Sequence, residues 1–84
     1  ESDIIVLENY RGPAYGEPDE EVINAIRLVG KAEGLILDPN YTGKAMSGLI
    51  GELKADQIDL NETICFIHSG GLPQLFAHAD KFTE

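Results

Sequence analysis

Apolar residues fall into three short continuous runs, and two stretches of helical period separate them. Residues 3–8 (DIIVLE), 35–37 (LIL) and 63–68 (TICFIH) are largely aliphatic or β-branched with no polar alternation, the pattern of strands buried on both faces. Between the first two runs, Val22, Ile26 and Val29 recur at i, i+4 and i+7 with Ile23 beside them, while Glu20, Asn24, Arg27 and Lys31 take the opposite face. That spacing predicts an amphipathic helix. Pro18, Asp19, Glu20 and Glu21 mark its start, acidic residues suiting the positive end of the helix dipole, and Gly34 marks its stop.

A second helix is predicted from near Thr42, with Met46, Leu49, Ile50 and Leu53 as its apolar stripe. Gly48 and Gly51 each cost about 1 kcal/mol relative to alanine inside a helix, so they predict a neighbour in close approach. Residues 55–62 are a polar connection, Ser69, Gly70 and Gly71 a tight turn, and Pro73 opens a short third helix before a tail that frays after Lys81. Strand and helix alternate three times, which predicts right-handed crossovers and an α/β fold, a short parallel β-sheet with covering helices.

Parallel strands place their carboxyl ends on one edge, where open α/β sheets bind ligands. The loops at that edge carry Tyr15, Tyr41, Thr42, His68 and Ser69. Phenols, hydroxyls and an imidazole together suit hydrogen bonding and proton transfer on a small polar ligand. Each has a structural alternative. Tyr15 packs its proline-rich loop, Thr42 caps a helix, Ser69 belongs to glycine turn chemistry, and His68 is read as a strand-end residue.

The chain has 84 residues, enough for one small domain of marginal stability and no second. Fifteen acidic against six basic residues give a net charge of −9, which argues against nucleic acid or an anionic membrane as partner. No apolar run reaches the roughly 18 residues of a membrane span, and there is no basic-then-apolar leader pattern, so a soluble, cytoplasmic protein is expected. The single cysteine, Cys65, lies inside an apolar run and is expected to be a buried reduced thiol. No metal-ligand spacing occurs, and the acidic residues between Glu17 and Glu21 are sequential rather than convergent.

Asp38, Pro39, Tyr41, Thr42, Gly43, Lys44, Ala45 and Met46 resemble the DPVYTGKAM segment of the D-cysteine desulfhydrase and 1-aminocyclopropane-1-carboxylate deaminase family; Asn40 departs from that pattern. In the same order, residues 12–18 (GPAYGEP) resemble the family's P-x-Y-G-x-P loop and residues 66–73 (FIHSGGLP) its F-I-H-T-G-G-x-P loop. The resemblance implies that residues 1–84 are the C-terminal part of a pyridoxal-phosphate-dependent enzyme large domain of tryptophan-synthase-β-like fold. By the motif match, Thr42 faces the pyridine nitrogen with Ser69 close by as cofactor-binding residues, and Tyr15 and Tyr41 sit over the substrate as catalytic residues. The deaminase branch resembles Y-E-G and H-L-G-G where this chain has Tyr41-Thr42-Gly43 and His68-Ser69-Gly70-Gly71, so both places point to the desulfhydrase branch.

Such enzymes need a Schiff-base lysine and a phosphate loop. The family's copies of both lie upstream of the resembling region, and Lys44 belongs to the T-G-K-A motif. The expectation is therefore a portion of a D-cysteine desulfhydrase that is inactive alone and does not bind pyridoxal phosphate by itself. The alternatives are a 1-aminocyclopropane-1-carboxylate deaminase, a related lyase of sulfur amino acids, or a non-catalytic small α/β binding module. Strands taken from a larger sheet leave an open edge, so self-association is also expected.

Overall fold

The computed structural model describes residues 5–7, 10 and 18–82. It contains three α-helices, α1 (Glu20–Glu33), α2 (Thr42–Lys54) and α3 (Gln74–Ala77), followed by a single 3-10 turn, Ala79–Lys81. None of the described helices is long and apolar enough to cross a membrane.

Local chemistry sets the ends of α1. The Asp19 carboxylate accepts the Val22 N–H at 3.0 Å as the N-cap, Glu20 and Glu21 occupy the first turn and Lys31 the last. Gly34 closes the helix at φ 70°, its N–H reaching the Gly30 carbonyl at 3.1 Å. This left-handed cap is why the chain turns there rather than continuing. Val22, Ala25, Ile26 and Val29 are the buried face, as the spacing predicts.

The core is small and lies between α1 and α2. Those four residues join Leu37 and Met46, with Leu49, Ile50, Phe66 and Phe82 packed partly buried against them. Arg27 fixes the far end of the chain to α1. Its Nη2 donates to the Lys81 carbonyl at 2.8 Å and its guanidinium lies 6.0 Å from the Phe82 ring centroid.

The neighbour that Gly48 and Gly51 predict is Tyr10. A Cβ on Gly51 would stand 2.6 to 2.9 Å from the end of the Tyr10 ring, and one on Gly48 3.3 Å from its base. The phenol lies across α2 and donates to Glu52 Oε2 at 2.8 Å. That hydrogen bond first, then burial and the charges of Glu52 and Glu21, pushes the Tyr10 phenol above its ordinary value, so it remains a donor.

The sheet is the main departure from the expected architecture. Among the described residues there is no strand, and residues 5–7, 35–37 and 63–68 carry no regular secondary structure. A strand exists only through its pairing, and three short runs do not supply one another with a ladder. Ile36 and Ile67 are 60% and 79% exposed. Cys65, expected to be buried, is exposed for the same reason. Residues 3 and 4, residue 8, and most of the loop before α1, Tyr15 included, lie outside the described residues.

The glycines give a stability prediction. A Cβ on Gly43 would collide with the Asp38 carbonyl and stand 2.8 and 2.9 Å from the Ile26 side chain, so Gly43→Ala should destabilise the chain by about 1–3 kcal/mol through overpacking. Gly51→Ala meets only the mobile end of Tyr10 and gains about 1 kcal/mol of helix propensity, so it should cost clearly less. Urea unfolding of the two variants beside the parent checks the order.

Candidate active-site loops

Asp38 builds the junction between the 35–37 run and α2. Its Oδ2 accepts the N–H groups of Asn40 and Tyr41, both at 2.7 Å, and its Oδ1 accepts the Thr42 N–H at 2.8 Å and the Thr42 hydroxyl at 2.7 Å. The traffic also runs the other way. The Asp38 N–H donates to Thr42 Oγ1 at 2.8 Å, and its carbonyl accepts the Gly43 N–H at 2.7 Å. One carboxylate thus accepts the two amides that lead into α2 and the first amide of the helix itself, while the Asp38 carbonyl takes the second, and it is Asp38, four residues earlier, that caps the helix rather than Thr42.

Asp38 is wholly buried. Burial by itself pushes the carboxyl up. The Thr42 hydroxyl, then the N–H groups of Thr42, Tyr41 and Asn40, outweigh it and hold the group below its ordinary value. Its negative charge also faces the positive end of α2.

The third expected loop seats directly on this junction. A Cβ on Gly71, which has φ +88°, would stand 2.7 Å from Asp38 Cγ and 2.8 Å from Tyr41 Cδ2, so only glycine lets residues 68–71 lie against residues 38–42. Gly70 also has a positive φ, 111°. His68 joins the two from the other side. The Gly70 N–H donates to its Nδ1 at 3.2 Å, which places the ring hydrogen on Nε2, and Nε2 donates to the Ile36 carbonyl at 2.8 Å. Its imidazole is spent on holding the loops together, as a strand-end role implies.

The structure therefore brings the loop of Tyr41 and Thr42 against the loop of His68 and Ser69, while Tyr15 lies outside the described residues. Tyr41 is 46% exposed and Thr42 1%. Ser69 is exposed. Asn40 is 6% exposed, and both ends of its amide lack a hydrogen-bond partner, a costly state for a buried amide. Sequence reading passed over Asp38 as part of a turn, although an Asp before Pro with Thr four residues on is a legible capping signal. A groove of about 560 Å³ between α1 and α2, lined by Tyr10, Glu21, Ser47 and Lys54 among others, contains none of the expected site residues. Among the described residues no group of three or more His, Cys, Asp or Glu could hold a metal ion.

The Asp38 shift carries a pH prediction. A carboxyl whose folded value is lowered stabilises the fold above its unfolded value of about 3.9 and loses that contribution as pH falls through the folded value. The difference in urea midpoint between the parent and Asp38→Asn should be largest from neutral pH down to about 4 and shrink below that. A difference that stays constant down to the acid end would show that the carboxylate charge is not what matters.

The model of the family described as pyridoxal-phosphate dependent enzyme matches residues 1–70. A D-cysteine desulfhydrase of Klebsiella pneumoniae (strain 342) is 44% identical over 77 residues, covering 92% of this chain and 24% of that protein. The chain spans about a quarter of the length of this curated relative. The match supports the α/β class and implies pyridoxal phosphate as cofactor of the parent enzyme. With its matching region running through both described loops, this chain belongs to the pyridoxal-phosphate-dependent enzymes.

Proposed function

We propose that this chain is the C-terminal portion of a cytoplasmic pyridoxal-phosphate-dependent lyase that converts D-cysteine and water to hydrogen sulfide, pyruvate and ammonia, and that it is inactive alone. The supporting observation is the seating of the loop that carries Ser69 on the loop that carries Tyr41 and Thr42, through Gly71 against Asp38 and Tyr41 and through His68 on the Ile36 carbonyl. In the whole enzyme those loops end strands of a tryptophan-synthase-β-like sheet whose remaining strands come from upstream. The exposed Ile36 and Ile67 are then covered by that sheet, and in the isolated chain they drive self-association.

Thr42 and Ser69 are the residues that would hold one edge of the cofactor; Thr42 Oγ1 commits its hydrogen and one of its two lone pairs to Asp38, and at 1% exposure it is covered in this chain. The orphaned amide of Asn40 in the same loop also marks a place short of a polar partner. When bound, pyridoxal phosphate supplies an electron sink for the negative charge left when the α-proton is removed. Ser69 stands near it with an exposed hydroxyl. Tyr41 and Tyr15 orient the substrate as hydrogen-bonding groups. The lysine and the phosphate loop belong to the upstream part.

Joining this chain to the upstream part of the Klebsiella relative tests the proposal. The joined polypeptide should be yellow and release sulfide from D-cysteine, and this chain alone should do neither. Tyr41→Phe in the joined polypeptide should lower kcat/KM on the order of 10- to 100-fold, the range of one lost positioning or proton-transfer group. Sulfide release by the isolated chain contradicts its proposed inactivity. A joined polypeptide that folds, binds the cofactor and ignores D-cysteine contradicts the proposed substrate.

A further inference from the structure

Gly70 and Gly71 both stand at positive φ, 111° and 88°, and two glycines in succession have little of their own to keep a turn in one shape. His68 supplies the restraint. Its Nδ1 accepts the Gly70 N–H at 3.2 Å and its Nε2 donates to the Ile36 carbonyl at 2.8 Å. The first bond closes the turn on itself, and the second ties it to the chain just ahead of Asp38. Both ring nitrogens are thereby used, each in the only sense its partner allows, since an N–H cannot accept and a carbonyl cannot donate.

The tied turn lies against Tyr41. A Cβ on Gly71 would stand 2.8 Å from Tyr41 Cδ2, so the bare Gly71 backbone is in contact with the phenol ring. The backbone of Tyr41 is fixed separately, its N–H donating to Asp38 Oδ2 at 2.7 Å. Tyr41 is 46% exposed, so its ring is only partly enclosed, and a shift of the turn beside it shifts the ring. We infer that His68 is a positioning residue for Tyr41: by clamping the turn at Gly70 and Gly71 to Ile36, it sets the surface against which the phenol rests. The inference rests on the proposed role of Tyr41 in orienting the substrate and names the residue that orients Tyr41 itself.

Asparagine and glutamine separate the two bonds of the imidazole. Counted from Cβ, asparagine Oδ1 stands at the place of Nδ1 and can still take the Gly70 N–H, whereas glutamine Nε2 stands at the place of the histidine Nε2 and can still give to the Ile36 carbonyl. His68 is exposed, so neither exchange opens the core.

The test reads the nuclear Overhauser contact between the Tyr41 ring and the Gly71 α-hydrogens in this chain, and sulfide release in the joined polypeptide. The parent should show the contact, His68→Gln should keep it and His68→Asn should lose it. In the joined polypeptide His68→Asn should lower kcat/KM about 10-fold, as a displaced orienting group does, and His68→Gln should recover most of that loss. Added to Tyr41→Phe, His68→Asn should cost nothing further, because the two residues act through one group. A contact absent from the parent, or kept in His68→Asn, overturns the inference. So does a loss that adds in full to that of Tyr41→Phe, since a residue that only supports the fold acts independently of this phenol. A joined polypeptide that ignores D-cysteine overturns the proposed substrate alone, and the ring contact still decides the role of His68.

Discussion

The arrangement of this chain depends on one buried carboxylate. Asp38 arrives in the interior at the end of the 35–37 run, where an unpaired charge would be intolerable, and four short hydrogen bonds replace its hydration. The same bonds satisfy the amides that open α2, so burial of the charge and the start of the helix are a single event. Thr42 closes the unit by receiving the Asp38 N–H. Gly43 follows without a side chain because the Asp38 carbonyl and Ile26 already occupy that space.

The second loop can approach only because this junction is compact. Gly71 passes within contact distance of the Asp38 carboxylate and the Tyr41 ring, and His68 bridges to the Ile36 carbonyl with its one ring hydrogen. Asp38, Gly43, His68 and Gly71 hold the loops together, and Tyr41 and Thr42 take part in the same packing, Tyr41 against Gly71 and Thr42 with Asp38. Among the buried side-chain polar atoms of the described residues, those of the Asn40 amide are the ones without a hydrogen-bond partner.

Both long helices were legible in the sequence because their determinants are local. Asp19 caps, Gly34 stops, and Val22, Ile26 and Val29 repeat at helical spacing, so nothing outside the sixteen residues from Asp19 to Gly34 was needed for α1. Gly48 and Gly51 announced a close neighbour, but Tyr10 could not be named as that neighbour, since the contact spans some forty residues. The strands were legible only as apolar runs. Their ladder depends on partners that this length of chain does not provide, which also leaves Cys65 and Ile67 exposed where burial was expected. Tyr41 and Thr42 lie on the loop after the 35–37 run and Ser69 on the loop after the 63–68 run, and Gly71 brings the two loops together. Asp38 stands in the same motif, but its part in the junction lies in the direction of its hydrogen bonds, which no motif shows.

The central claim is that the Asp38 carboxylate organises the junction. Amide hydrogen exchange at Asn40, Tyr41 and Thr42 tests it most directly, because these three N–H groups precede the regular helical ladder and donate to the Asp38 carboxylate. They should exchange as slowly as amides in the body of α2, and lose that protection in Asp38→Ala while α1 keeps its own. Exchange of all three at unstructured rates in the parent, with α2 still protected, would contradict the account.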